Sequence, residues 1–220
     1  MFNLKDAGER IEKILRLKTF IVGLQFFEKL EDMERIKKLK RVDSKRVFCQ
    51  MITMARTYGW SLGVTPDNLI HNSFCKVMLG FSDKPDFMSD GTYKGSIWFE
   101  NQEDAKRYEE SIPAIPSGKF HAVALGPISA ERLTPDLVLI YGNPAQMILL
   151  INGLQWKNYE RLTFYCVGES SCADAIAEGY LSKKPCLAIP CFGERRFGHT
   201  QDDELIIAMP PVSLLKAAEG

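Results

Sequence analysis

The chain has 220 residues, with 28 Lys plus Arg balanced by 28 Asp plus Glu, and 45% of its residues are apolar. That size and composition suit an ordinary soluble protein of one large domain or two small ones. The even charge balance leaves no basic excess for binding nucleic acid or an anionic membrane, and it does not oppose association into a homo-oligomer.

Residues 1–18 place Leu4, Ala7, Ile11, Ile14 and Leu15 at spacings of three and four, one apolar face of an N-terminal helix. This segment contains acids and lacks the apolar core of a signal peptide. No stretch is long and apolar enough for a membrane span, so a reduced, cytoplasmic setting is expected. Residues 19–27, TFIVGLQFF, predict a strand, and residues 28–40 a charged helix whose lysines read as a solvated face. The strongest helix of the first half is 44–58, with Val47, Phe48, Met51, Ile52, Ala55 and Tyr58 as its buried stripe. Residues 68–79 predict a short helix carrying His71 and Cys75. Neither has a metal partner at helical spacing in that segment, so His71 reads as a packed histidine. Residues 81–95 are polar and turn-rich, a flexible loop able to cover a site. A helix over 101–111 and a strand over 119–125 follow.

Two later segments share a pattern of apolar strand, glycine turn, polar cap and short helix. In the first, strand 137–141 is followed by Gly142, Asn143 as cap and Pro144 at the first helical position, where its missing N–H costs nothing. In the second, strand 162–167 is followed by Gly168, a Ser170 or Ser171 cap with Asp174 three residues after Ser171, and a helix over 172–179. The intervening helix predicts that 137–141 and 162–167 are parallel neighbours. Strands over 186–190 and 204–209 enclose a charged turn over 191–199. The whole reads as a single α/β domain over 1–220, a mixed sheet of five or more strands with helices packed on it.

The stretch 161–210 also concentrates the chemistry. It holds four of the six cysteines, which are Cys49, Cys75, Cys166, Cys172, Cys186 and Cys191. No C-x-x-C pair is present, so no metal set and no cofactor is named by spacing. Cys172 falls in the first turn of its helix, where the dipole lowers a thiol pKa, although a small buried cysteine fits the same position. Cys172 and His199 are the candidate catalytic pair, thiol and base. Ser170, Ser171, Cys191, Arg195 and Arg196 are the candidate ligand-binding residues, because helix-start N–H groups and a paired guanidinium suit an anion. Arg195 can instead pair with Asp202, Asp203 or Glu204 in its own hairpin.

The segments FCQMITMARTYGW, PDLVLIYGNPAQM, GESSCADAIA and AIPCFGERRFGHTQDDELIIAMP resemble the family of unknown function DUF169. The most specific part is Cys191, Gly193 and Arg195 followed by Asp202, Asp203, Glu204 and Leu205. The resemblance covers about 19–211 and implies one family-wide unit, but it implies no activity.

Three functions stay open from the residues. The first is binding of a small anionic molecule at the 168–172 helix start and the 191–199 turn. The second is cysteine-dependent chemistry, either a metal or iron–sulfur centre on Cys49, Cys75, Cys172 and Cys191, or a nucleophilic thiol. The third is a non-catalytic interaction protein presenting Trp60, Trp98 or Trp156.

Overall fold

The computed structural model describes residues 3–70, 73–95, 97–168 and 170–220. His71 lies outside the described residues. The frame is a seven-stranded mixed sheet of order β2-β3-β4-β1-β5-β7-β6. Its strands are β1 (Val22–Phe27), β2 (Lys40–Arg41), β3 (Leu62–Val64), β4 (Ala122–Pro127), β5 (Leu137–Gly142), β6 (Cys186–Ala188) and β7 (Leu205–Met209). Among these strands β2 and β3 pair in parallel and the other pairings are antiparallel.

The strand residues alternate between two cores. Leu137, Leu139, Tyr141, Ile206 and Ala208 face one, and Val138, Ile140, Ile207 and Met209 face the other. This is the period-2 alternation of a pleated sheet covered on both sides. The second core is closed by α1 (Leu4–Leu15), α7 (Pro144–Gln155) and α10 (Pro211–Glu219). The helix α2 (Leu30–Glu34) adds a small cluster around Phe27 and Met33.

The first core is closed by α3 (Phe48–Tyr58), α4 (Phe74–Met78) and a π-helical turn, Cys172–Ala177, that runs into α8 (Glu178–Ser182). Helix α9 (Phe192–Gly198) packs against α3. Between them in sequence, α5 (Thr92–Gly95) and α6 (Gln102–Ser111) pack on each other. Thus part of 81–95, read as a loop, is helical. Its Lys94 is buried over the Trp98 ring, and the buried Glu109 carboxylate accepts from Gly91 N.

Several expectations fail, among them the helix over 28–40, which is helical only at Leu30–Glu34. Residues 161–167 form no strand, and β5 lies between β1 and β7, antiparallel to both. The unbroken apolar run of β5 arises from burial on both faces, not from parallel pairing. The place beside it is taken by β7, and Val167 N is instead held by Asp174 Oδ2 at 2.9 Å. The segment read as the charged turn 191–199 is mostly the helix α9.

Candidate functional site

Cys172 begins the π-helical turn and is 4% exposed. The expected capping box is absent: Ser171 is already helical and makes no side-chain cap, while Ser170 O accepts from both Ala173 N and Asp174 N. A π-turn widens the helix by one residue, a local irregularity that recurs at functional sites. Here it packs against α4, and Cys172 Sγ lies 3.1 Å from Cys75 Sγ. These residues are 97 positions apart in sequence. Cys75 is half-buried and Cys172 is buried.

Cys49 and Cys191 complete the surroundings. On α3, Cys49, Thr53 and Arg56 form a polar stripe at spacings of four and three, and α9 lies across it. The Cys49 thiol donates to Gly193 O at 3.4 Å, and Thr53 Oγ1 donates to Gly198 O. A Cβ at Gly198 would stand 3.2 Å from Cys49 Cβ, so the close approach of α9 depends on this glycine. Cys191 precedes α9, and its N–H donates to Ser171 Oγ at 3.4 Å, joining α9 to the π-turn. Each thiol is near enough to feel the charge of others: Cys49 that of Cys75 and Cys191, and Cys172 that of the same two.

Glu194 extends from α9 into this region and is 2% exposed. Its Oε1 accepts from the Tyr141 hydroxyl at 2.6 Å, while among the described residues Oε2 has no hydrogen-bond partner. Arg56 lies 4.1 Å from the Tyr141 ring centroid and donates twice to Glu204, at 2.9 and 3.0 Å. A polar chain therefore runs Glu204–Arg56–Tyr141–Glu194 to the thiols.

Of the two readings of Cys172, the electrostatics favour the buried cysteine over the lowered thiol. The hydrogen bond with Cys75, burial and the neighbouring acids push its thiol well above the ordinary value, against any depression from a helix start. Burial likewise raises Cys49, Cys191 and Glu194. Among the described residues, no group of three or more His, Cys, Asp or Glu side chains is placed to hold a metal ion.

The remaining sequence candidates disperse. Ser170 and Ser171 are buried. Arg195 donates to Pro190 O at 2.7 Å; of the three carboxylates expected for it, Asp202, Asp203 and Glu204, the last is taken by Arg56. Arg196 is exposed. His199 lines an open cleft of about 480 Å³ with Lys18 and Arg56, and among the described residues no hydrogen bond joins it to Cys172. Sequence reasoning missed Arg56, Tyr141 and Glu194. The spacing of Cys191, Glu194 and Gly198, three and then four residues, carried a helical signal that a turn reading of 191–199 hid.

A family model described as DUF169, uncharacterised ArCR, matches residues 10–220. An uncharacterised protein of Methanocaldococcus jannaschii, MJ0308, is 23% identical over 219 residues, covering 99% of this chain and 93% of that protein. No solved structure matches the chain.

Proposed function

We propose, for a chain that belongs to the DUF169 family, that Cys75 and Cys172 form a redox-active dithiol exchanging two electrons with disulfide compounds. The family supplies no activity, so the reading rests on the site. The observation that carries it is the 3.1 Å approach of two thiols brought together from 97 residues apart, one half-buried and one enclosed. Closing such a pair to a disulfide, about 2.05 Å between sulfurs, needs only a small displacement.

The division of labour follows from access. On this reading Cys75, the less buried of the two, is the sulfur that an external disulfide meets first. Attack by its thiolate releases one thiolate of the substrate and leaves a mixed disulfide on Cys75. Cys172 then attacks Cys75 Sγ and expels the second substrate sulfur. The balance is two protein thiols plus one disulfide giving one protein disulfide plus two thiols. The absence of a lowered Cys172 pKa suits this resolving role, since the enclosed sulfur acts only after the accessible one has reacted.

An anionic ligand at Arg195 has less support, because that guanidinium is engaged with Pro190 O. The test is oxidation of the native protein by a low-molecular-weight disulfide, followed by non-reducing peptide mapping. A Cys75–Cys172 cross-linked peptide is expected, lost in Cys75→Ser and in Cys172→Ser and kept in Cys166→Ser. Cross-links among other cysteines, or none, would refute the dithiol.

A further inference from the structure

Resting on that dithiol reading, we infer that Glu194 is the proton acceptor for the enclosed thiol, taking the Cys172 proton on Oε2 as the sulfur closes on Cys75.

Three placements carry this. The carboxyl is almost fully enclosed, yet among the described residues Oε2 has no hydrogen-bond partner, the nearby Ser171 hydroxyl acting only to lower the carboxyl, whereas a buried carboxylate oxygen ordinarily finds one. The charge of this carboxyl reaches Cys49, Cys172 and Cys191, and an acceptor left open there is set for a proton. Next, Oε1 is fixed by Tyr141 OH at 2.6 Å, so the carboxyl is oriented and not free to turn away. Finally, α9 is tied to the π-turn through Cys191 N and Ser171 Oγ and to α3 through Gly193 and Gly198, which fixes the helix that carries Glu194 against the turn that carries Cys172.

The chemistry requires such a group. A thiolate is the nucleophile in exchange, and Cys172 is enclosed where water is not at hand to take its proton. The groups facing Glu194 are Arg56 and Cys49 from α3, Tyr141 from β5, Cys172 from the π-turn and Cys191 from α9, with Glu204 beyond Arg56. Burial raises the Glu194 carboxyl, while Ser171, Tyr141 and Arg56 act to lower it. Raising a carboxyl narrows its gap to a thiol and makes it a better base toward one.

In the closing step the Cys172 S–H bond breaks and its proton passes to Glu194 Oε2. The Cys172–Cys75 sulfur bond forms, and the bond from Cys75 to the substrate sulfur breaks. The substrate leaves as a thiolate that takes up a proton from solvent, and Glu194 keeps its proton until reduction of the disulfide returns it to Cys172. No oxidant beyond the disulfide substrate is needed.

The experiment uses the full chain carrying Cys166→Ser, to silence the exposed thiol, and an aromatic disulfide whose released thiol absorbs. Stopped-flow mixing separates the first equivalent of thiol, from attack by Cys75, from the second, from closure by Cys172. Glu194→Gln is expected to leave the first phase unchanged and to slow the second by at least tenfold, with the deficit shrinking as pH rises. Glu194→Asp should recover part of the rate. Tyr141→Phe, which frees the carboxyl to turn, should shift the pH profile of the second phase even if Glu194→Gln folds poorly. A second phase with the parent rate and pH profile in both Glu194→Gln and Tyr141→Phe would overturn the assignment of Glu194 while leaving the dithiol intact. Failure of the parent to release a second equivalent would remove both.

Discussion

Arg56 and Glu204 are 3% and 8% exposed and meet through two hydrogen bonds at the floor of the His199 cleft, so each charge is largely shielded from water. Removing one partner of such a pair costs about 3–5 kcal/mol, mostly from stranding the other charge. Glu204→Gln is therefore expected to lower the urea midpoint by that equivalent. Burial acts to raise the Glu204 carboxyl, but hydrogen bonds from Arg56 and Gln201 N hold it below its ordinary value. Its stabilising contribution is thus complete above the unfolded carboxylate value, roughly 4.3. It is lost as pH falls through the depressed folded value. Unfolding measured from neutral pH into acid should show this loss in the parent and a flatter limb in Glu204→Gln. The thiols give a second contrast at this scale. Cys166 is exposed, while Cys172 is enclosed with its thiol pushed up. Alkylation of the reduced native protein should label Cys166 first and Cys172 last, and labelling of Cys172 at an apparent pKa below about 8.5 would contradict the raised value.

At the level of elements, α9 is the piece on which the site depends, and its seat on α3 is tight. A methyl at position 198 would meet Cys49 Cβ at 3.2 Å, Cys49 O at 3.3 Å and Thr53 Oγ1 at 3.4 Å. Gly198→Ala should cost about 1–3 kcal/mol by overpacking. It should also slow closure of the Cys75–Cys172 disulfide, because Glu194 moves with the helix; a parent closure rate would argue against the coupling. The segment 161–167 behaves in the opposite way. It has β-forming residues but no strand, and Tyr159 and Tyr165 are 79% and 73% exposed. Limited chymotrypsin digestion should cut here before any strand or helix of the two cores. These two elements show what the sequence made legible. Strands β1, β5 and β7 and helices α3 and α6 were readable because periodicity and caps are local. The loss of the 162–167 strand was not, because β7, some forty residues later, occupies the place beside β5. The thiol pair was equally hidden: nothing near Phe74 or Ser171 encodes that Cys75 and Cys172 touch, and Glu194 looked like one charge in a run of charges.

For the molecule as a whole, the sheet separates two helical layers, and the thiols lie in only one of them. The layer of α1, α7 and α10 carries exposed Ile148, Leu149 and Val212 but none of the Cys75–Cys172 machinery. The reactive layer draws on both ends of the chain: Cys49 contacts Gly193 across 144 positions, and Cys75 contacts Cys172 across 97. Contacts of such separation form late, because loop closure must precede them. The same separation has a meaning during protein synthesis. Chains are made at about 5–20 residues per second, so Cys75 leaves the ribosome roughly 5–20 s before Cys172. Through that interval Cys49 and Cys75 are nascent thiols with no native partner yet made, and neither α9 nor the π-turn exists to enclose them. The thiol state of the finished protein is therefore first decided by the reductants around the growing chain, before the fold has any part in it.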